Sequence, residues 1–147
     1  KSIDAFSKEL SSLRTGRANA AMLGMSARAE FHHTSWSDQI ESGFMPGLYD
    51  IITSNPPYIE QDAVLMTDVA DYDPAGALYA GADGLDAYRD FLPRLPMLMA
   101  PHSRAFIEIG AYQSEAVSAL ASSAGLSVYD TKTDLAGRDR CLILASQ

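Results

Sequence analysis

The chain has 147 residues, 47% of them hydrophobic and 20% charged, enough for one domain with a real core and too few for two ordinary ones. Its net charge of −8 excludes a generally nucleic-acid-binding surface, which needs a basic stripe to neutralise phosphates. One cysteine excludes a disulfide framework and a cysteine-rich zinc site, and no run approaches the ~18 apolar residues of a membrane span.

The N-terminus has no signal-peptide pattern, so a cytoplasmic location is expected. Residues 3–23 read as a helix, because Ile3, Phe6, Leu10 and Leu13 recur at helical spacing with Ser, Lys and Glu on the other face. Gly16 weakens its middle and Gly24 is a natural stop. Residues 28–33 form a short strand candidate. Residues 49–54 form a stronger one, whose consecutive apolar positions suit a strand covered on both faces. Residues 60–84 are acidic and Gly-rich and read as loop with short helical turns. Residues 85–99 are expected to be helical with breaks at Pro93 and Pro96. A strand over 104–109, a helix over 113–124 closed by Gly125, and strands over 127–131 and 141–145 complete the chain. This order predicts an α/β fold whose sheet is mostly parallel with a C-terminal antiparallel hairpin.

The segment Asn55-Pro56-Pro57-Tyr58 at the end of the 49–54 strand is the most informative feature. Pro56 and Pro57 lack a backbone N–H and bias the preceding residues to extended geometry, so the strand stops abruptly and the Asn side chain is held at its tip. An amide or exocyclic amine has a delocalised lone pair. It attacks a methyl sulfonium only if both its N–H groups are held and the nitrogen is aimed. The Asn55 side-chain oxygen and the Pro56 carbonyl offer two acceptors, and Tyr58 offers a flat face for stacking. Positioning of this kind is worth roughly 7–11 kcal/mol without a strong general base. Asn-Pro-Pro is also ordinary loop punctuation; its place directly after an apolar strand favours the chemical reading.

Other residues are weaker signals. His32 and His33, as strand neighbours, point to opposite faces and cannot converge on one metal. Asp71, Asp73, Asp83, Asp86 and Asp90 lack a calcium-loop spacing and read as caps and solvated positions. Glu108 ends an apolar strand and must be paired or lie at the carboxyl edge of the sheet, where open α/β folds build their sites. Trp36 is either core or a flank for a flat ligand such as adenine. Cys141 reads as a small buried hydrophobe.

Together these residues resemble the release-factor glutamine methyltransferases, bacterial enzymes that methylate the glutamine of the Gly-Gly-Gln tip of peptide-release factors. The resemblance spans residues 17–147. It runs through Arg17-Ala18-Asn19-Ala20, Thr34-Ser35-Trp36, Tyr49-Asp50-Ile51-Ile52 with Asn55-Pro56-Pro57-Tyr58-Ile59, Tyr72-Asp73-Pro74, Gly81-Ala82-Asp83-Gly84-Leu85, Glu108-Ile109-Gly110 with Gln113, and Asp134-Leu135-Ala136-Gly137-Arg138-Asp139-Arg140. It implies a partial class I, Rossmann-like S-adenosylmethionine fold. It also implies that Asn55, Pro56, Pro57 and Tyr58 bind the glutamine amide, with Asn55, Pro56 and Tyr58 catalytic, and that Trp36 and Asn55 line the cofactor. No metal is implied, and the implied partner is a peptide-chain release factor.

The family's glycine-rich cofactor loop and its strand pair find no match here, so impaired activity is expected. Residues 5–18 instead resemble the first helix of ribosome recycling factor through Leu13-Arg14-Thr15-Gly16-Arg17-Ala18. Residues 1–18 are thus expected to be a recycling-factor-like helix and 19–147 a truncated methyltransferase domain, together one structural domain of chimeric sequence. The helix is expected to pack its apolar stripe on the sheet; RNA contact through Arg14 and Arg17 is not expected. Without the family's first strand, the 49–54 strand is left with a free apolar edge. Either the 28–33 strand moves beside it or a second copy pairs with it, giving a rearranged sheet or a homodimer. Two functional classes stay open: an N-methyltransferase acting on a glutamine amide, and a non-catalytic chimeric domain that self-associates.

Overall fold

The computed structural model describes residues 22–32, 48–63 and 75–147. The chain divides into two compact units, Lys1–Ser35 and Trp36–Gln147. In the first, Met22 is helical and Gly24, at φ 67°, stands where a stop is predicted. The predicted helix before residue 22 lies outside the described residues.

Ser26–Arg28 is a single 3-10 turn, and residues 29–32 have no regular structure. The strand predicted over 28–33 therefore does not form in its described part. Apolar alternation stabilises a strand only when a neighbouring strand takes its backbone groups. Here the Arg28 N–H donates instead to the Met25 carbonyl at 2.8 Å and closes the turn. His32 accordingly sits off any strand, with Nε2 3.3 Å from the Glu30 carboxylate.

The second unit carries a four-stranded sheet: β1 (Tyr49–Ser54), β2 (Met99–Glu108), β3 (Leu126–Thr133) and β4 (Asp139–Ser146), in the order β1-β2-β4-β3. β1 is parallel to β2, and β2 and β3 are each antiparallel to β4, so β4 alone runs against the other strands. The α/β class, the shared strand direction and the C-terminal hairpin agree with expectation. Among the described residues of this unit, three helices lie between the strands in sequence: α1 (Ala75–Leu78), α2 (Asp86–Phe91) and α3 (Ser114–Ser123).

The helix predicted over 85–99 is shorter. α2 passes into a 3-10 segment, Leu92–Met97, where Pro93 and Pro96 cannot donate the bonds an α-helix needs. Met99 already belongs to β2, which begins well before the predicted residue 104. β2 is not uniform: its register against β1 jumps between Tyr49↔Met99 and Ile51↔Arg104, and His102 stands at φ 69°. The extra residues form an irregularity that hides the first half of the strand from a reading by alternation.

Beyond that irregularity alternation is clean. Ala105, Ile107 and Ile109 are fully buried, whereas Arg104, Phe106 and Glu108 are half-buried. The buried set joins Leu126, Leu142 and Leu144 to Tyr88, Phe91, Leu92 and Leu95, and to Val117 and Ala121 of α3. Each such Leu, Ile or Phe contributes about 1.5–3 kcal/mol by leaving water. Val117 and Ala121 lie four residues apart on one face of α3, and Gly125 at φ 79° follows its end. The core thus takes in β2, α2 and α3 together, and β2 carries Glu108 at its end.

β1 departs from the strand covered on both faces that its sequence predicts. Ile52 is its one buried residue, and Ile51 is 66% exposed. β1 is also an end strand: among the described residues it pairs with β2 alone and its other edge has no strand beside it. No helix among the described residues is long and apolar enough to cross a membrane.

Candidate functional site

Because β1 and β2 are parallel, their carboxyl ends meet at one edge of the sheet, with Ser54 opposite Ile107. Asn55 follows β1 and Glu108 ends β2, so the two residues singled out from sequence stand at the same edge. Asn55 is exposed, Pro56 is buried, and Pro57 and Tyr58 are half-buried. The loop is therefore anchored through its prolines and Tyr58 and presents Asn55 outward.

Beyond Tyr58 the backbone is zipped to the segment after α1. The Ile59 N–H donates to the Leu78 carbonyl at 2.9 Å, Ala80 N–H to the Ile59 carbonyl at 2.9 Å, and Gln61 N–H to the Gly81 carbonyl at 2.9 Å. These three bonds close an isolated parallel bridge between Ile59 and Tyr79.

Tyr58 packs against the core, and its hydroxyl donates to Glu108 Oε1 at 3.3 Å. Burial pushes its phenol above the ordinary value, the Glu108 carboxylate adds to this, and Arg140 opposes it. Tyr88, fully buried, donates to the Glu108 backbone carbonyl at 2.9 Å. Burial, with Tyr58 and Glu108 nearby, pushes the Tyr88 phenol well up, so it remains a donor at any physiological pH.

Arg140 reaches the same edge from β4. Its Nη1 donates to the Ile109 carbonyl at 3.2 Å, and the Ile109 N–H donates to the Arg140 carbonyl at 3.0 Å. The hairpin before it is closed by Asp134, whose Oδ1 accepts from Ala136 N–H at 2.8 Å and Arg138 N–H at 3.0 Å. These bonds and the Arg138 guanidinium hold the Asp134 carboxyl below the usual carboxylate range.

Two clefts meet at Asn55. One, of about 320 Å³, is lined by Thr53, Ser54, Asn55, Phe106, Glu108, Arg140 and Cys141. The other, of about 310 Å³, is lined by Asn55, Pro56, Pro57, Tyr58, Ile59, Ala77 and Leu78. All four residues of the Asn-Pro-Pro-Tyr segment thus line one cleft, and Asn55, alone among the described residues, lines both. Cys141, expected to be a buried hydrophobe, is half-buried and lines the first cleft because it pairs with Glu108 across β2 and β4. Its thiol is pushed up chiefly by burial. Trp36 and His33 lie outside the described residues, as do Asp71 and Asp73.

The remaining acidic positions are local fittings. Asp83 Oδ1 accepts from the Leu85 N–H at 3.2 Å, and Arg89 binds both Asp83 and Asp86, at 2.5 and 2.9 Å. Asp90 pairs with Arg94 at 2.6 Å.

Sequence reasoning missed Gln113 and Arg140 as site residues. Gln113 ends the turn after β2, next to a helix start where Ser, Thr, Asp or Asn is the usual cap, and its side chain makes no cap bond. A Gln in that place, three residues after Gly110, is the signal that could have drawn attention to it.

No protein-family model matches the chain. Over 133 residues, 89% of the chain, it is 40% identical to the release factor glutamine methyltransferase of Rhodospirillum rubrum, of which it covers 39%. It is 41% identical over 130 residues to that of Cereibacter sphaeroides, covering 87% of the chain and 45% of the relative. The chain therefore spans less than half the length of these curated relatives. A ribosomal protein L11 methylase from Lactobacillus delbrueckii subsp. bulgaricus superposes with a TM-score of 0.61 at 15% identity, covering 92% of this chain and 53% of that one. That likeness concerns the fold, and the sheet described above is a partial, Rossmann-like α/β sheet.

Proposed function

We propose that Asn55-Pro56-Pro57-Tyr58 binds a glutamine side-chain amide for N5-methylation, and that the protein acts as an S-adenosylmethionine-dependent methyltransferase on peptide-chain release factors. One observation carries this reading: the segment sits at the carboxyl tip of β1, anchored by a buried Pro56, with Asn55 shared by two clefts. The likeness to release factor glutamine methyltransferases over nearly nine-tenths of the chain supports it.

The chemistry asks little of the protein beyond geometry. Asn55 Oδ1 and the Pro56 carbonyl accept the two N–H groups of the substrate amide and turn its nitrogen toward the methyl donor. The nitrogen–carbon bond would form as the sulfur–methyl bond of the sulfonium donor breaks to leave a neutral thioether, and one N–H proton passes from its carbonyl acceptor to solvent. Half-buried Tyr58 bounds the cleft in which the planar amide lies. Holding the amide in near-attack geometry lowers the barrier by roughly 7–11 kcal/mol.

S-adenosylmethionine, when bound, supplies the methyl group. Among the described residues, β1 is the outer strand, and no strand beyond it offers a glycine turn or a carboxylate for ribose hydroxyls. The described residues therefore fit the acceptor amide and meet the cofactor only at Asn55.

The test is transfer of labelled methyl from S-adenosylmethionine to a purified release factor by the full chain. Label on the glutamine, lost in Asn55→Ala with the fold intact, is the expected result; undiminished transfer by the variant refutes the role of Asn55. A second reading, self-association without turnover, is favoured by the β1 edge, which no strand among the described residues covers, and by the 66% exposure of Ile51. Light scattering decides it: a concentration-dependent dimer abolished by Ile51→Lys supports it, and a monomer at all concentrations removes it.

A further inference from the structure

We infer that Gln113 is the positioning residue of the amide-binding loop, clamping the end of Asn55-Pro56-Pro57-Tyr58 to the end of β2; this rests on the function proposed above. Its Nε2 donates to the Tyr58 carbonyl at 3.0 Å and to the Gly84 carbonyl at 3.2 Å, while its Oε1 accepts from the Gly110 N–H at 3.0 Å. One side chain thus joins three segments distant in sequence: the loop after β1, the turn before α2, and the turn after β2.

The partners dictate the residue type. Two carbonyls on one side and an N–H on the other match the two donors and one acceptor of a primary amide, and set which end is nitrogen. Glu would keep the acceptor for Gly110 and turn a carboxylate oxygen toward two carbonyls. Asn is one methylene short. Met fills similar volume and donates nothing.

The surroundings are built around this amide. A Cβ on Gly84 would strike the Tyr58 carbonyl and lie 2.8 Å from Gln113 Nε2, and Gly84 also stands at φ 70°. A Cβ on Gly110 would lie 2.8 Å from Gln113 Oε1. Both glycines therefore allow the backbone to approach the Gln113 amide closely. Tyr58 is consequently held at both ends, by Gln113 at its carbonyl and by Glu108 at its hydroxyl.

The test is hydrogen exchange followed by NMR on the full chain and its Gln113→Met and Gln113→Glu variants. In the wild type both Gln113 side-chain NH₂ protons are expected to exchange slowly. In each variant, protection of the Ile59, Gln61 and Ala80 N–H groups is expected to fall about tenfold, as for loss of a hydrogen bond of ordinary net strength, while the β2–β4 ladder is unchanged. Unchanged protection, an equal fall in seam and ladder, or a seam restored by Glu would each overturn the assignment. Should neither variant fold, fast exchange of the wild-type NH₂ protons overturns it and slow exchange supports it. Titration with an acetylated Gly-Gly-Gln peptide amide separates the two readings. Wild-type binding weakened about tenfold in both variants supports the clamp as a device for positioning substrate. Absence of wild-type binding sinks the amide-binding function and leaves the exchange result to judge the clamp.

Discussion

Tyr88→Phe removes one oxygen from the best-buried aromatic at the site and should be felt both in stability and in its pH dependence. The ring is fully buried, 6.0 Å between centroids from Phe91, and its packing survives the change. The change removes the 2.9 Å bond to the Glu108 carbonyl. A net hydrogen bond is worth ~0.5–1.5 kcal/mol, and an orphaned buried acceptor costs ~1–3 kcal/mol. Because Glu108 is only half-buried, water can partly replace the donor, and a loss near ~1–1.5 kcal/mol at pH 7 is expected. The second effect has a definite sign. Burial raises the Tyr88 phenol in the folded state, so its contribution is fully present below the ordinary phenol value near 10 and is lost as pH rises above it. The wild type should therefore lose stability steeply above about pH 10, by up to ~1.4 kcal/mol per pH unit for this group, and the variant should lose it less steeply. Tyr58, raised in the same direction, keeps some of that slope in the variant. Urea unfolding at pH 7, 10 and 11 measures both effects. Equal stability of the two proteins at pH 7 together with equal alkaline slopes would refute the account of Tyr88 as the buried donor to Glu108.

Asp83, held by Arg89, should titrate at about 2 in NMR, and Arg89→Ala should return it toward the ordinary carboxylate range. Its lowered value means that its contribution is present above the ordinary Asp range and fades as pH falls through about 2. Ile107→Ala, at a fully buried position between β1 and β4, should cost ~2–5 kcal/mol in urea, whereas Ile51→Ala on the exposed side of β1 should change stability by no more than ~0.5 kcal/mol. Equal costs would mean that β1 is covered on that side. Gly84→Ala should be destabilising by well over the ~1 kcal/mol of an ordinary Gly–Ala exchange, since it meets both a positive φ and the Tyr58 carbonyl; a calorimetric melt at the wild-type temperature would contradict the close approach.

Features that neighbouring residues decide among themselves could be read directly from the chain. Asn55-Pro56-Pro57-Tyr58 was legible because two prolines stop a strand wherever it runs, and α3 because its apolar residues repeat at helical spacing. β4 and the second half of β2 were legible through apolar runs ended by charged residues. The first half of β2 was not: Pro101 and the His102 irregularity look like loop, and the strand continues through them because β1 provides a partner at Tyr49. Residues 28–33 illustrate the reverse, with a strand-like pattern whose described part has no ladder to join.

The same division runs through the site. Asn55 and Glu108 announce themselves as strand ends, whereas Gln113 acts on a carbonyl 55 residues away and another 29 residues away. No local pattern encodes such a contact, since it exists only once β2 and α3 have packed on the same core and brought the turn between them against the loop. The core's apolar face therefore does more than supply stability. By holding β2 and α3 in one core, it sets where Gly110 and Gln113 stand, and through them where the Tyr58 carbonyl is held. A core substitution such as Ile107→Ala should consequently loosen the Ile59–Ala80 seam along with the sheet, while a Gln113 substitution should loosen the seam alone. That asymmetry is what hydrogen exchange on the two variants, compared side by side, is expected to reveal.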